Sequence, residues 1–294
     1  MSINVPSYAH AKALYAMPAV LSLCAFGALG FDHCTRRSVV LRWALLIGLG
    51  VWAVNAYASF WISGDSPRAQ ARLGWLYAQV DGFDQVAEQS LRTALAIEST
   101  NAVAQLGIAE LLDKRGQIDQ AVVQLYQLLE HHQSYAVGHL KLASLLTSQH
   151  QFEIAIEHAR CATALAPNNG NAWFILGQIH THRNELDGAV HAFRQALRVT
   201  PEDAEIHHRL GLALAALGQF DAMQQQMRRA IRMKPDSSAP LNDLAWILST
   251  HDDANIRHPE TAVCLAQQAC DLTGGQEATS LDTLAAAYAA SDQF

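Results

Sequence analysis

Small and large apolar residues follow one another in a fixed order along most of the chain, and the order returns every 34 residues. The clearest copy runs from Gly170 to Asp203 and carries Trp173, Leu176-Gly177, Ala189, Phe193, Ala196 and Pro201. Its apolar positions fall at helical spacing in two blocks, so each copy predicts two amphipathic helices joined by a turn. Gly or Ala midway along the first helix and early in the second lets the two backbones approach. Leu, Phe and Trp at the intervening positions reach the next copy. Pro167, Pro201 and Pro235 share one register position and end the second helix, because proline cannot continue it.

The register extends in both directions. Ala204–Ser237 carries His207, Leu210-Gly211, Leu214, Met223, Met227 and Ala230; Ala136–Asn169 carries Leu142-Ala143, Leu146, Ala155, Ala159 and Ala162. Ala102–Tyr135 offers Ile108-Ala109, Ala121, Leu125 and Leu128. The earliest unit, from about Arg68, keeps Ala87, Leu91 and Ala94, but its Leu73-Gly74 falls one residue out of phase, predicting a turn one residue longer. A sixth unit begins near Ser238 and resumes at Ala262 five residues late, with the surplus in the polar run His251–Pro259. A seventh starts with Leu281, Leu284-Ala285 and Tyr288. The reading is therefore six repeats plus a final half repeat over residues 68–294.

These positions resemble the tetratricopeptide repeat (TPR) family over about three-quarters of the chain. The resemblance implies an all-α TPR superhelix of antiparallel helix pairs that scaffolds protein–protein contacts, with the first helices lining a concave groove. Mapped onto this sequence, the groove face holds Asn171, Phe174, Gln178 and His182, then Glu205 and His208, then Asn242, Trp246 and Ser249. Amide, imidazole and aromatic groups of this kind grip an extended peptide by backbone hydrogen bonds and stacking. TPR domains that clamp a carboxylate use groove lysines; Val137, Leu140 and Ser144 occupy that surface here, which departs from the subclass. The run Leu244–Leu248 with Leu281–Ala285 is similar to bacterial membrane TPR proteins, some of which carry their repeats after a glycosyltransferase-like domain.

The first 67 residues differ. Residues 13–31 and 43–62 are stretches of 19 and 20 residues without a charged side chain. Each is long enough to cross a hydrocarbon core of about 30 Å. Read as spans, they make a two-helix transmembrane hairpin over residues 1–67 and a multi-pass protein of the bacterial inner membrane. Arg36, Arg37 and Arg42 between them favour a cytoplasmic loop and a periplasmic TPR domain, against the opposing pull of Lys12, Arg68 and Arg72. A cleaved leader is the rival reading, but a second apolar stretch follows directly.

Charge divides the chain in the same place: residues 1–67 carry +2 and residues 68–294 carry −9. An acidic solenoid is a poor nucleic-acid binder, and the cations at Arg228, Arg229, Arg232 and Lys234 read as a solvated face. Five cysteines form no C-x-x-C pair, and fourteen histidines fall in no recognised ligand spacing. No phosphate loop, nucleophile elbow or dinucleotide fingerprint appears, so neither catalysis, a metal nor a cofactor is expected. The expected function is a membrane-anchored scaffold binding proteins or peptides in its groove; the alternative is the accessory TPR region of a membrane glycosyltransferase or polysaccharide-export system.

Overall fold

The computed structural model describes residues 66–291. The two stretches read as membrane spans lie outside them; among the described residues, no helix is long and apolar enough to cross a membrane. By its internal contacts the chain divides into residues 1–69 and 70–294. The described residues are all-α. Six helical hairpins follow one another: α1 Pro67–Ala78 with α2 Asp84–Ile97, α3 Ala102–Lys114 with α4 Ile118–His131, α5 Ala136–Ser148 with α6 Phe152–Leu165, α7 Gly170–His182 with α8 Leu186–Val199, α9 Ala204–Ala216 with α10 Phe220–Met233, and α11 Ser238–Thr250 with α12 Pro259–Leu272. A thirteenth helix, α13 Ala278–Ala290, packs on the last pair.

Local chemistry sets the boundaries. Asn101, Asn169 and Asp203 cap α3, α7 and α9, each side-chain oxygen accepting backbone N–H groups of the first turn. Within five hairpins the turn needs one left-handed residue, supplied by Gly82, Gly116, His150, Asn184 and Gly218, with φ between 58° and 85°. After α3, Gln117 N–H then donates back to Leu112 O at 2.9 Å, closing the helix end; Gln151, Glu185 and Gln219 do the same in their repeats. The first hairpin turn is residues 79–83 where later ones have three residues, and the sixth is residues 251–258. Both irregularities fall where the sequence register slips.

The hairpins close by an exchange of volume. Where the first helix carries glycine, a large side chain faces it: Leu91 at Gly74, Phe193 at Gly177, Met227 at Gly211. In two of the hairpins where it carries alanine, the register sets alanine opposite it, Ala159 at Ala143 and Ala266 at Ala245, all four fully buried; in the α3–α4 hairpin Leu125 stands opposite Ala109. The apolar core then runs from hairpin to hairpin. One buried cluster centres on Leu125, Leu142, Leu146 and Ile156, another on Phe193, Leu214, Met223 and Met227, and Trp173 packs against both.

A polar tie recurs beside that core. Gln105, His139, Trp173 and His207 occupy one register position, and each donates a side-chain N–H to the carbonyl six residues earlier, in the turn left by the preceding hairpin. The acceptors are Ser99, Gln133, Pro167 and Pro201, at 3.0, 2.8, 2.9 and 3.1 Å. His139 and His207, at the register position of Trp173, therefore serve as hydrogen-bond donors as well as packing residues.

Candidate functional site: the inner face of the first helices

The first helices touch across repeats, α5 with α7 and α11 with α13, so their free sides form one inner face. This face has two chemically distinct halves.

From α1 to α5 its charged side chains are tied to partners, beside exposed Val137 and buried Leu140. Lys141 Nζ donates to Asp113 Oδ2 at 2.7 Å, linking α5 to α3. Lys114 Nζ donates to the Ala78 carbonyl, and Gln79 Nε2 donates to Glu110 Oε2 at 3.4 Å, linking α3 to α1. Burial holds the Glu110 carboxyl above the usual range, partly offset by Lys141, Lys114 and a hydrogen bond from Trp75. These charges already have partners.

From α7 to α11 the face is mixed, with aromatic and apolar side chains left open among polar ones. Asn171 is exposed and Gln178 is half-buried. Phe174 is half-buried, its ring 5.9 Å from that of Phe193. Trp246 is 47% exposed. Half-buried Leu212 lies in the same register position as Gln178 and Trp246, one helix between them. The other predicted groove residues are engaged. His182 is exposed, yet its ring stacks on Phe152 at 5.0 Å. Glu205 accepts from Arg209 Nε at 2.6 Å. His208 and Ser249 are buried; His208 Nε2 meets Asp243 Oδ2 at 2.7 Å, and Ser249 Oγ donates to the Trp246 carbonyl at 3.0 Å. Asn242 is half-buried and its Oδ1 accepts no hydrogen bond.

The structure thus brings Phe174, Gln178 and Trp246 onto one open surface and withdraws His208 and Ser249 beneath it. Asp243 was missed by sequence reading. It lies next to Asn242, and the register aligns it with Lys141 and Arg209, two other charges on the inner face. That alignment was the available signal.

A stack of helical hairpins with a continuous inner face is an α-solenoid, a class built to present extended binding surfaces. Its repeats are tetratricopeptide repeats. Profiles described as tetratricopeptide repeat match residues 85–145, 140–192 and 204–237, and one described as TPR repeat matches 177–218. Among curated proteins the chain has no significant sequence match. Among solved structures it is similar to pilF of Pseudomonas aeruginosa, with TM-score 0.65 and 18% identity over 74% of this chain and 96% of that one. It is also similar to the APC/C hetero-tetramer Cut9–Hcn1, with TM-score 0.62 and 16% identity over 76% of this chain and 43% of that one. A third likeness is to YrrB, described as a TPR protein with an unusual peptide-binding site, with TM-score 0.56, 16% identity, and 66% and 97% of the two chains covered. At these identities the likeness establishes the fold.

Proposed function

We propose that the protein is a membrane-anchored scaffold of a bacterial envelope complex, holding a polypeptide partner along the α7–α11 half of its inner face. The observation that carries the groove assignment is the contrast between the halves. Lys141 pairs with Asp113, Lys114 reaches the Ala78 carbonyl and Glu110 accepts from Gln79, whereas Phe174, Gln178 and the half-exposed Trp246 leave apolar and amide surface open. Large aromatic side chains on such a surface are the usual energetic anchors of a protein interface. The uncharged stretches 13–31 and 43–62 support the anchor, and Arg36, Arg37 and Arg42 between them support a periplasmic position for the repeats.

The test places a photo-crosslinking residue at Gln178 of the full chain in cells and fractionates the membranes. One discrete protein adduct in the membrane fraction, abolished by Trp246→Ala at unchanged melting temperature, is expected. An adduct indifferent to Trp246→Ala overturns the groove assignment, and recovery of the chain in the soluble fraction overturns the anchor.

A further inference from the structure

The outer surface of three consecutive repeats carries a cationic strip that the groove does not use. Arg160 on α6, Arg194 on α8 and Arg228 on α10 stand at one register position, 34 residues apart. Arg198 and Arg232, four residues on, repeat the pattern in α8 and α10, and Arg229 widens it. All six are exposed. Arg160 has an acidic neighbour, Glu157 at 3.4 Å, while Arg194, Arg198, Arg228, Arg229 and Arg232 form no ion pair among the described residues. The strip is bounded: the register position of Arg198 and Arg232 holds Glu130 in α4 and Asp271 in α12. On a chain of net charge −7, one face has collected unneutralised cations.

We propose that this strip holds the solenoid against a bilayer surface containing anionic phospholipid. Two observations favour lipid over other polyanions. The last turns of α6, α8 and α10 expose Leu165, Val199 and Met233 (43%, 37% and 41%), the latter two next to Arg198 and Arg232. Apolar side chains beside cations suit an interface where guanidinium groups meet phosphates and methyl groups enter the acyl boundary. The arginines also stand on outward ridges, with no exposed Phe, Tyr or Trp interleaved on α8 or α10, so nothing offers a nucleic-acid strand a groove or a stacking platform. The proposal goes beyond the groove and the anchor and depends on neither.

Arginine footprinting with phenylglyoxal, read by mass spectrometry, tests it on the full chain mixed with vesicles. One vesicle set is wholly zwitterionic and the other includes a minority of anionic phospholipid. Flotation of the same samples on zwitterionic vesicles reports the anchor separately. Modification of Arg194, Arg198, Arg228 and Arg232 is expected to be about fivefold slower or more on anionic vesicles, to recover in high salt, and to be unchanged at Arg209 and Arg257. Arg194→Gln with Arg228→Gln should remove most of the protection at Arg198 and Arg232. Equal modification on both vesicle sets overturns the proposal. Protection by soluble polyglutamate with none by anionic vesicles also overturns it, and assigns the strip to an acidic protein instead.

Discussion

Gly177 and Gly211 hold the same register position, yet they respond to different constraints. A Cβ at Gly177 would lie 2.5 Å from the ring of Phe193, which is fully buried and has nowhere to turn. At Gly211 the nearest atoms are the Met227 side chain at 3.0–3.2 Å, and methionine has rotatable bonds with which to yield. Gly177→Ala is therefore expected to cost about 1–3 kcal/mol and Gly211→Ala less, as measured by urea denaturation of the two variants. His150 presents the opposite case, a branched ring held at φ 59° where sister repeats use glycine. His150→Gly should raise stability by up to about 1 kcal/mol, less the edge contact of its ring with Phe152. A melting temperature unchanged or lowered by that substitution would refute the strain argument. At this scale the sequence was partly legible. Small residues advertised where backbones meet, because only they permit contact. Whether a polar residue at that spacing hydrogen-bonds or merely packs was hidden, since His139, Trp173 and His207 fit the register equally well.

Between elements, α5 and α6 meet through two imidazoles. His139 Nδ1 lies 2.9 Å from His158 Nδ1, while His139 Nε2 is committed to donating to the Gln133 carbonyl. Because His139 Nε2 carries the donated proton, its Nδ1 accepts and His158 Nδ1 donates. Burial, and then His139, hold the His158 pKa below the ordinary histidine range, with Glu157 opposing. A group with a lowered folded pKa binds fewer protons folded than unfolded, so its stabilising effect is complete above the ordinary histidine pKa. It is lost as pH falls through that value toward the folded one. Thermal stability should therefore drop between about pH 7 and pH 5. The equivalent contact two repeats on uses Gln226 against His207 Nδ1 at 2.7 Å. His158→Gln should keep the hydrogen bond and flatten that pH dependence; a variant as acid-sensitive as the parent would place the titrating group elsewhere. Sequence spacing put these helices side by side, but the 19-residue pairing of His139 with His158 depends on rotamers that periodicity does not specify. The same holds for His208, which the register assigns to the groove and Asp243 draws inward.

For the whole repeat domain, stability is shared through neighbours. Among the described residues, the helix contacts run chiefly between each first helix, its own partner and the second helix before it, so little enforces a single transition. Trp173 joins the two largest buried clusters and adds the bond from its indole N–H to Pro167 O. Trp173→Ala is expected to cost about 3–5 kcal/mol. It should also broaden urea unfolding or split it into two steps, as circular dichroism on the full chain would record. A single sharp transition at lower urea would show the clusters coupled by other contacts. At this scale the sequence was most legible for fold and least for use. Prolines and small residues repeat because every hairpin solves the same packing problem, whereas each repeat's inner and outer surfaces are free to differ.

The donor that completes each exit turn has a further consequence for how such a chain is cut and rejoined. Ser99, Gln133, Pro167 and Pro201 belong to one hairpin, but the N–H that satisfies each carbonyl belongs to the next. A module excised from Gly170 to Asp203 would leave behind the indole's acceptor and carry away a carbonyl whose donor, His207, stays with its neighbour. The unit that travels intact starts instead at a second helix, from Phe152 to Glu185 for example, so that turn and donor move together. Duplication, deletion or grafting of repeats in this protein should succeed when the junctions fall in the tight turns inside hairpins, and should lose solubility when they fall between them.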